Sequence, residues 1–438
     1  MNFNLNDLVV ALSHALDFME IDLLGGITRH SKRVAYLAVR MAENRGLPPE
    51  RIADLLSLAI LHDNGIGVAF QGSGAASYGS GETSRGEAAT PSGAEKARRR
   101  AESGRRHCEA GEANLRGYPF LTEAAGVILN HHEQWDGSGF FGLSGEEIPW
   151  MSRVIRLADA VELRTRLDGI DYAGKLELGE WLVRQSGRAF DPELVDAFVE
   201  LSRSPSFWLD LQGEFIGPAL HRRAPRFERE LSLGRLREAT GVFSRIIDSK
   251  SRFTRLHSQE LSARAARMAR RYGFGEEKAA KLQIAADLHD VGKLAVSNAI
   301  LDKPGKLEPP ELDEIRKHTY YTRVSLEPLA GLEDIAEWAA NHHEKLDGSG
   351  YPFGFAADRL DFESRLLACL DIYQALVEVR PYREALGHGA ALSIMHGMAE
   401  AGKIDAGIVE DVDAEFAGDE ASRPWRPEEN LAGTRDGS

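Results

Sequence analysis

Ten of the chain's fourteen histidines fall into five pairs, one member in each half: His30, His62, His107, His131 and His132 correspond to His257, His289, His318, His342 and His343. The first two pairs lie 227 positions apart and the next three 211, so most intervals between them are kept within each half. Thus 32 residues separate His30 from His62 and His257 from His289, and 24 separate His107 from His131 and His318 from His342. Asp63 and Asp290 directly follow the second histidine of each set, and Asp159 and Asp371 lie 27 to 28 residues beyond the last. Imidazole and carboxylate donors together suit Mn, Fe, Ni, Co or Zn better than Ca or Mg. A His-Asp dipeptide on a helix sends its two side chains about 100° apart, so the imidazole can hold one cation while the carboxylate spans it and a neighbour. The double histidines can likewise each serve a different cation. Any one of these residues alone reads as a buried core or capping group. Seven of them repeated in register read as two copies of one metal-binding module.

The elements that position these residues are helices. Apolar residues recur at helical spacing, as in Leu5, Leu8, Val9, Leu12, Leu16 and Met19, or Val34, Leu37, Ala38 and Met41, and alternating runs bounded by hairpin turns are scarce. The expected fold class is all-α, with two tandem helical bundles. A length of 438 residues suits two or three domains, and the repeat favours two. Residues 1–201 form the first module, with a disordered insertion at about 71–104 that is rich in Gly, Ser, Ala and Arg and accounts for the change of repeat offset. Residues 202–227, with Pro205, Pro218 and Pro225, read as a linker, 228–417 as the second module, and 418–438 as a disordered tail.

A formal charge of −15 argues against a nucleic-acid polymer or an anionic membrane as partner, since such surfaces need clustered Lys and Arg. Cys108 and Cys369 are the only cysteines and do not match in position, which fits reduced thiols and a cytoplasmic location. Cys108 beside His107 is a further ligand candidate. No stretch has the roughly 18 apolar residues of a membrane span, and the first 22 residues lack the basic and apolar regions of a signal peptide.

The second half resembles the HD-GYP domain family of the HD metal-dependent phosphohydrolase superfamily. The residues that carry the resemblance are His257-Ser258, His289-Asp290-Val291-Gly292-Lys293, Lys303-Pro304-Gly305-Lys306-Leu307, His318, the run His342-His343-Glu344-Lys345-Leu346-Asp347-Gly348-Ser349-Gly350-Tyr351-Pro352, Asp371, and Arg380-Pro381-Tyr382-Arg383. The first half is similar but degenerate, with His30-Ser31, His62-Asp63-Asn64-Gly65, His131-His132-Glu133 and Asp136-Gly137-Ser138-Gly139.

The resemblance implies an all-helical phosphodiesterase that hydrolyses cyclic di-GMP to linear pGpG and, in some members, onward to GMP. It implies two divalent transition metals per intact site, Fe or Mn, which lower the pKa of a bridging water and clamp the phosphate. Asp290 would bridge them as the catalytic carboxylate, and Lys293 would offset charge developing on the phosphate. Tyr351, Arg380 and Arg383 would bind the dinucleotide with Lys293. Two other readings remain open: hydrolysis of another cyclic dinucleotide such as cyclic GMP-AMP, and a non-catalytic metal- and nucleotide-binding sensor or scaffold. A second copy of the chain or a signalling protein is the expected macromolecular partner.

The halves part at the substrate cations. Ile66 stands where the second half has Lys293, and Phe140-Phe141 stand where it has Tyr351-Pro352. Positions nine and twelve past the last aspartate are Arg380 and Arg383 in one half, Asp168 and Asp171 in the other. Arg164 or Arg166 could replace the missing cations if the register shifts. The second half is therefore expected to turn over substrate, and the first to serve as a regulatory or structural metal module. Phe253 and Gly26, at the position of a third-metal glutamate, argue for two metals rather than three. His318-Thr319 stands in place of His-Pro, and Gln374 replaces a frequent acid three residues after Asp371, which favours the linear dinucleotide as product.

Overall fold

The computed structural model describes residues 4–19, 29–69, 93–225, 227, 232–251, 257–379 and 384–418. Regular structure among the described residues is helical, with two isolated β-bridges, and the all-α expectation is met. The first half runs α1 (Leu5–Met19), α2 (His30–Asn44), α3 (Pro49–Ile60), α4 (Ile66–Ala69), α5 (Gly93–Asn114), α6 (Trp150–Arg164), α7 (Tyr172–Gln185), α8 (Pro192–Leu201), α9 (Pro205–Asp210) and α10 (Ile216–Arg223). The second runs α11 (Leu233–Lys250), α12 (His257–Arg271), α13 (Glu276–Leu288), a 3₁₀ turn at Val291–Ala295, α14 (Asn298–Leu301), α15 (Pro309–Leu326), α16 (Glu333–Ala340), α17 (Phe362–Val377), α18 (His388–Glu400) and α19 (Ala406–Phe416).

The apolar spacing read from the sequence is the packing observed: Val34, Leu37, Ala38 and Met41 of α2 are all buried, and α2 packs on α3, α6 and α8. Polar residues fix the starts of the helices that matter for the ligands. Pro309 opens α15, where no backbone N–H is needed, and Glu308 and Glu311 close a capping box around it. Asp361 caps α17 through the Ser364 amide at 2.8 Å, while its other oxygen accepts the Trp338 indole N–H of α16 at 2.6 Å.

The two halves exchange contacts through their first helices. Helix α1 lies against the Val291–Ala295 turn and α15 of the second half as well as α2 and α3 of its own; α11 lies against α4 and α5 of the first half. Leu8, Val9, Leu12 and Ala15 are fully buried, an apolar face wide enough to be covered from two sides. The approach is close: a Cβ on Gly67 of α4 would lie 3.3 Å from Lys250 Cα. Arg245 of α11 donates to the carbonyls of Asn114 (3.0 Å) and Arg116 (2.5 Å).

Two sequence expectations are corrected. The insertion expected at 71–104 overlaps α5, which starts at Gly93; Ala94-Glu95-Lys96-Ala97-Arg98 is a run of strong helix formers that needs no apolar stripe to extend a helix anchored further along. Residues 71–92, and the tail from 419, lie outside the described residues.

The expected linker at 202–227 is instead largely part of the first bundle. Pro205 and Pro218 fall in the first turns of α9 and α10, where they remove no helical hydrogen bond, and Pro225 follows the end of α10. Phe207 and Trp208 are buried and meet Phe198 edge-on at 5.6 and 6.3 Å. The Tyr36 hydroxyl donates to Asp210 at 2.8 Å and Arg33 Nε to the Leu211 carbonyl at 3.0 Å. Phe207→Ala is expected to cost roughly 3–5 kcal/mol in denaturant unfolding. A residue in a solvated linker would cost within about 0.5 kcal/mol.

Candidate metal centres

In the second half all seven predicted ligands converge. His257 opens α12, His289-Asp290 ends α13, His318 lies inside α15, His342-His343 follow α16, and Asp371 lies inside α17. His257 Nε2 is 3.2 Å from Asp371 Oδ1, and His289 Nε2 is 3.1 Å from Asp290 Oδ2. The other oxygen, Asp290 Oδ1, is 3.4 Å from His318 Nε2 and 3.7 Å from His342 Nε2, and those two nitrogens are 3.3 Å apart. His343 joins His318 and His342 in the second group, and its Nδ1 also lies 3.7 Å from Asp371 Oδ2. Donors about 3–4 Å apart are what a cation about 2.0–2.2 Å from each would require. Asp290 reaches both groups, one oxygen to each.

The donor set fits a pair of cations on two further counts. Asp290 Oδ1 and His289 Nε2 are enclosed and make no hydrogen bond, a state that costs on the order of 1–3 kcal/mol per group unless something else pairs them. Protonation states also suit: burial would raise the Asp290 carboxyl, but the His289 imidazole and Lys293 outweigh it and hold it well below the usual carboxylate range. Burial lowers His318 to about 4 against the opposing pull of the Asp290 charge, and burial together with His289 lowers His342 to about 3. Anionic carboxylate and neutral imidazole are the forms that bind metal.

Backbone carbonyls aim the imidazoles. Nδ1 of His289, His318 and His342 donates to the carbonyl three residues earlier, Ala286, Ile315 and Ala339, at 2.7, 2.5 and 2.6 Å, which leaves each Nε2 lone pair facing inward. Gly292 permits the approach of the His-Asp turn to α15, since a Cβ there would lie 1.9 Å from the His318 carbonyl oxygen. Gly292→Ala is therefore expected to lower stability by roughly 3 kcal/mol or more and to displace His318. A fall in melting temperature of the apoprotein, with weaker metal binding, checks it. The loop after His343 is tied by buried Glu344, which accepts from the Phe353 and Phe355 amides at 2.8 and 3.0 Å, and its Tyr351 ring sits 4.9 Å from the His343 ring.

Lys293 Nζ lies 2.5 Å from Asp290 Oδ2. Arg380 and Arg383 lie outside the described residues, as do Phe253 and Gly26. The described residues supply a cation that the sequence reading missed: Arg316, whose guanidinium lies over the Tyr351 ring at 5.4 Å. Its one sequence signal is its place two residues before a ligand, on an exposed side of the same helix.

The first half repeats the ligand geometry. Asp63 Oδ1 is 3.1 Å from His107 Nε2 and 3.9 Å from His131 Nε2; Asp63 Oδ2 is 3.5 Å from His62 Nε2 and 3.9 Å from His30 Nε2. Asp159 Oδ1 is 3.4 Å from His30 Nε2, and His132 stands with His107 and His131. Cys108 is 4.0 Å from His131 Nδ1, on the ring edge that bonds the Ile128 carbonyl rather than the inward Nε2 edge, and burial pushes its thiol up to about 12. Its sulfur nonetheless groups with donor atoms of His107, His131 and His132, all within 4.8 Å of one another.

The two halves differ in what surrounds the donor groups. Asp63 is 27% exposed where Asp290, covered by Lys293, is 2% exposed. Asp168 receives the Gly213 amide and lies 3.5 Å from Arg33, and Asp171 caps α7. Arg164 is stacked on Trp181 at 4.6 Å, so it does not supply the missing cation. Arg105 over Phe141 at 5.8 Å is the counterpart of Arg316.

Comparison with known proteins gives the family of the chain. The family model described as HD domain matches residues 95–194 and 241–408, more than half of the chain. The 3'3'-cGAMP-specific phosphodiesterase 1 of Vibrio cholerae is 28% identical over 419 residues, 93% of this chain and 90% of that protein. Phosphodiesterase 3 of the same name and organism is 36% identical over 278 residues, 63% of this chain and 59% of that one. The cyclic di-GMP phosphodiesterase response regulator RpfG of Xanthomonas campestris is 35% identical over 167 residues, 37% of this chain and 43% of that one. A crystal structure of a cyclic GMP-AMP specific phosphodiesterase of V. cholerae superposes with a TM-score of 0.63 at 26% identity, covering 95% of this chain and 98% of that one. No helix among the described residues is long and apolar enough to cross a membrane.

Proposed function

Because the chain belongs to the HD-domain family, we propose that it is a metal-dependent phosphodiesterase of 3'3'-linked cyclic dinucleotides whose turnover takes place in the second half. The observation that carries this reading is the Asp290 carboxylate, with one oxygen in each of two donor groups and an ammonium beside it. His257, His289, Asp371 and Asp290 would hold one divalent cation and Asp290, His318, His342 and His343 a second, Fe or Mn by donor type; bound there, the pair supplies acidification of a water and charge to offset the phosphate.

The chain's own groups do the rest. Asp290 fixes the spacing of the two donor groups. Lys293, held at its mouth, offers a cation to the phosphate oxygens as negative charge develops. Arg316 adds a guanidinium beside Tyr351, whose phenol burial and the Asp371 and Asp290 charges keep protonated and able to donate. Glu344 keeps the Tyr351 loop against the donors, so these groups need no reordering when substrate arrives. Arg380 and Arg383 are assigned to the dinucleotide phosphates by the family pattern.

Cyclic GMP-AMP is favoured as substrate over the cyclic di-GMP expected from sequence. Support comes from coverage: the relative matched along 93% of the chain is named for cyclic GMP-AMP, whereas the cyclic di-GMP relative above aligns with 37% of it. Cyclic di-GMP is the second reading, supported by the other named cyclic di-GMP phosphodiesterases of the family. The test is to load the full chain with Mn or Fe(II), supply each dinucleotide, and resolve the linear product from mononucleotides. Linear dinucleotide, formed faster from cyclic GMP-AMP, is the expected result. Full metal occupancy with no product from either substrate would replace the enzyme reading by that of a sensor.

A further inference from the structure

His30 and His257 occupy matched positions, yet their Nδ1 atoms are held by acids that do not match. His30 Nδ1 is 2.6 Å from Oε2 of Glu162, three residues after Asp159. The corresponding residue after Asp371 is Gln374, and His257 Nδ1 instead meets Oε2 of Glu378, seven residues after Asp371, at 2.8 Å. The surroundings have changed in step. In the first half Arg33, three residues after His30, bonds the other Glu162 oxygen at 3.2 Å. Three residues after His257 stands Glu260, and Gln374 spans the two acids: its Nε2 donates to Glu260 at 2.6 Å and to Glu378 at 3.2 Å, while its Oε1 accepts from Arg264 Nε at 2.6 Å. An amide has two N–H donors and can satisfy two carboxylates at once; an acid in its place would add a third negative group to the cluster.

We infer that Glu378 is the positioning residue for the His257 ligand, that it has taken over the role Glu162 plays for His30, and that Gln374 is the adapter that makes the relocation workable. A carboxylate on Nδ1 holds the proton on that nitrogen and presents the Nε2 lone pair toward Asp371 and the bound cation. The absence of the family's acid at 374 is thus offset one turn further along the chain rather than left as a defect. The inference rests on the reading of His257 as a metal ligand.

The test is Mn(II) titration of the full chain, followed by the EPR signal of free Mn and by apoprotein melting. The first half's sites are common to parent and variants, so any difference reports the second half. Glu378→Gln, which keeps shape and loses charge, is expected to weaken one class of Mn sites by about tenfold or more. Gln374→Met, which removes both N–H donors and does not touch His257, is expected to weaken the same class. Glu260→Arg with Gln374→Glu and Glu378→Gln rebuilds the first half's arrangement and is expected to return affinity to within about threefold of the parent. Lower melting with unchanged Mn affinity in both Glu378→Gln and Gln374→Met, or no recovery in the rebuilt protein, would overturn the inference while leaving the metal reading intact. A parent chain that binds no Mn would overturn the metal reading itself and this inference with it.

Discussion

Asp290→Asn is expected to lower kcat by roughly 10³-fold or more, on the order of 4 kcal/mol of transition-state stabilisation, and to lower metal content in the same protein. The size follows from geometry. Asp290 has one oxygen within 4 Å of His257 and His289 and the other within 4 Å of His318 and His342, whereas Asp371 reaches only His343 of the second group. An amide keeps the shape but presents one neutral oxygen and an N–H₂ to one of the two groups. That removes a negative charge from four enclosed imidazoles and turns a donor outward. Metal analysis beside single-turnover kinetics checks both halves of the expectation; loss of turnover with full metal content would assign Asp290 a different role.

Lys293→Met is expected to cost about 10²–10³-fold in kcat, the range found when a preorganised donor is removed from a developing anion, with a smaller change in KM. The distinction matters because Lys293 also contacts Asp290. If its only part were to neutralise that carboxylate, bound metal would substitute for it and the variant would turn over nearly normally. Steady-state kinetics at saturating Mn separates the two. Retained metal with a fall mainly in kcat supports action on substrate, and unchanged kcat would make the lysine a place-holder for the cations.

The fold class, and the grouping of the fourteen ligand candidates into two clusters, were legible because they depend on local rules. Helical spacing of apolar residues and the types and intervals of metal-donor side chains survive in one dimension. The partners behind the ligands were not. Glu162 meets His30 across 132 residues and Glu378 meets His257 across 121, and the two acids sit at different offsets, so no repeat announces them.

Packing between the halves was equally hidden, since the stripe on α1 says that it is covered but not by what. The prolines of 205–218 read as a linker because proline at a first turn and proline in a loop look alike until burial of Phe207 and Trp208 decides between them. Arg316 escaped notice because a lone exposed arginine is ordinary until Tyr351 folds beneath it. The contrast between halves at Lys293 and Ile66 was legible, and it is the observation on which the division of labour stands.

That division is tested most directly by measuring the turnover of cyclic GMP-AMP by Mn-loaded Asp63→Asn and Asp290→Asn side by side. One active site in the second half predicts that Asp63→Asn loses less than about tenfold while Asp290→Asn falls to the background rate. Abolished turnover in Asp63→Asn with turnover retained in Asp290→Asn would contradict it.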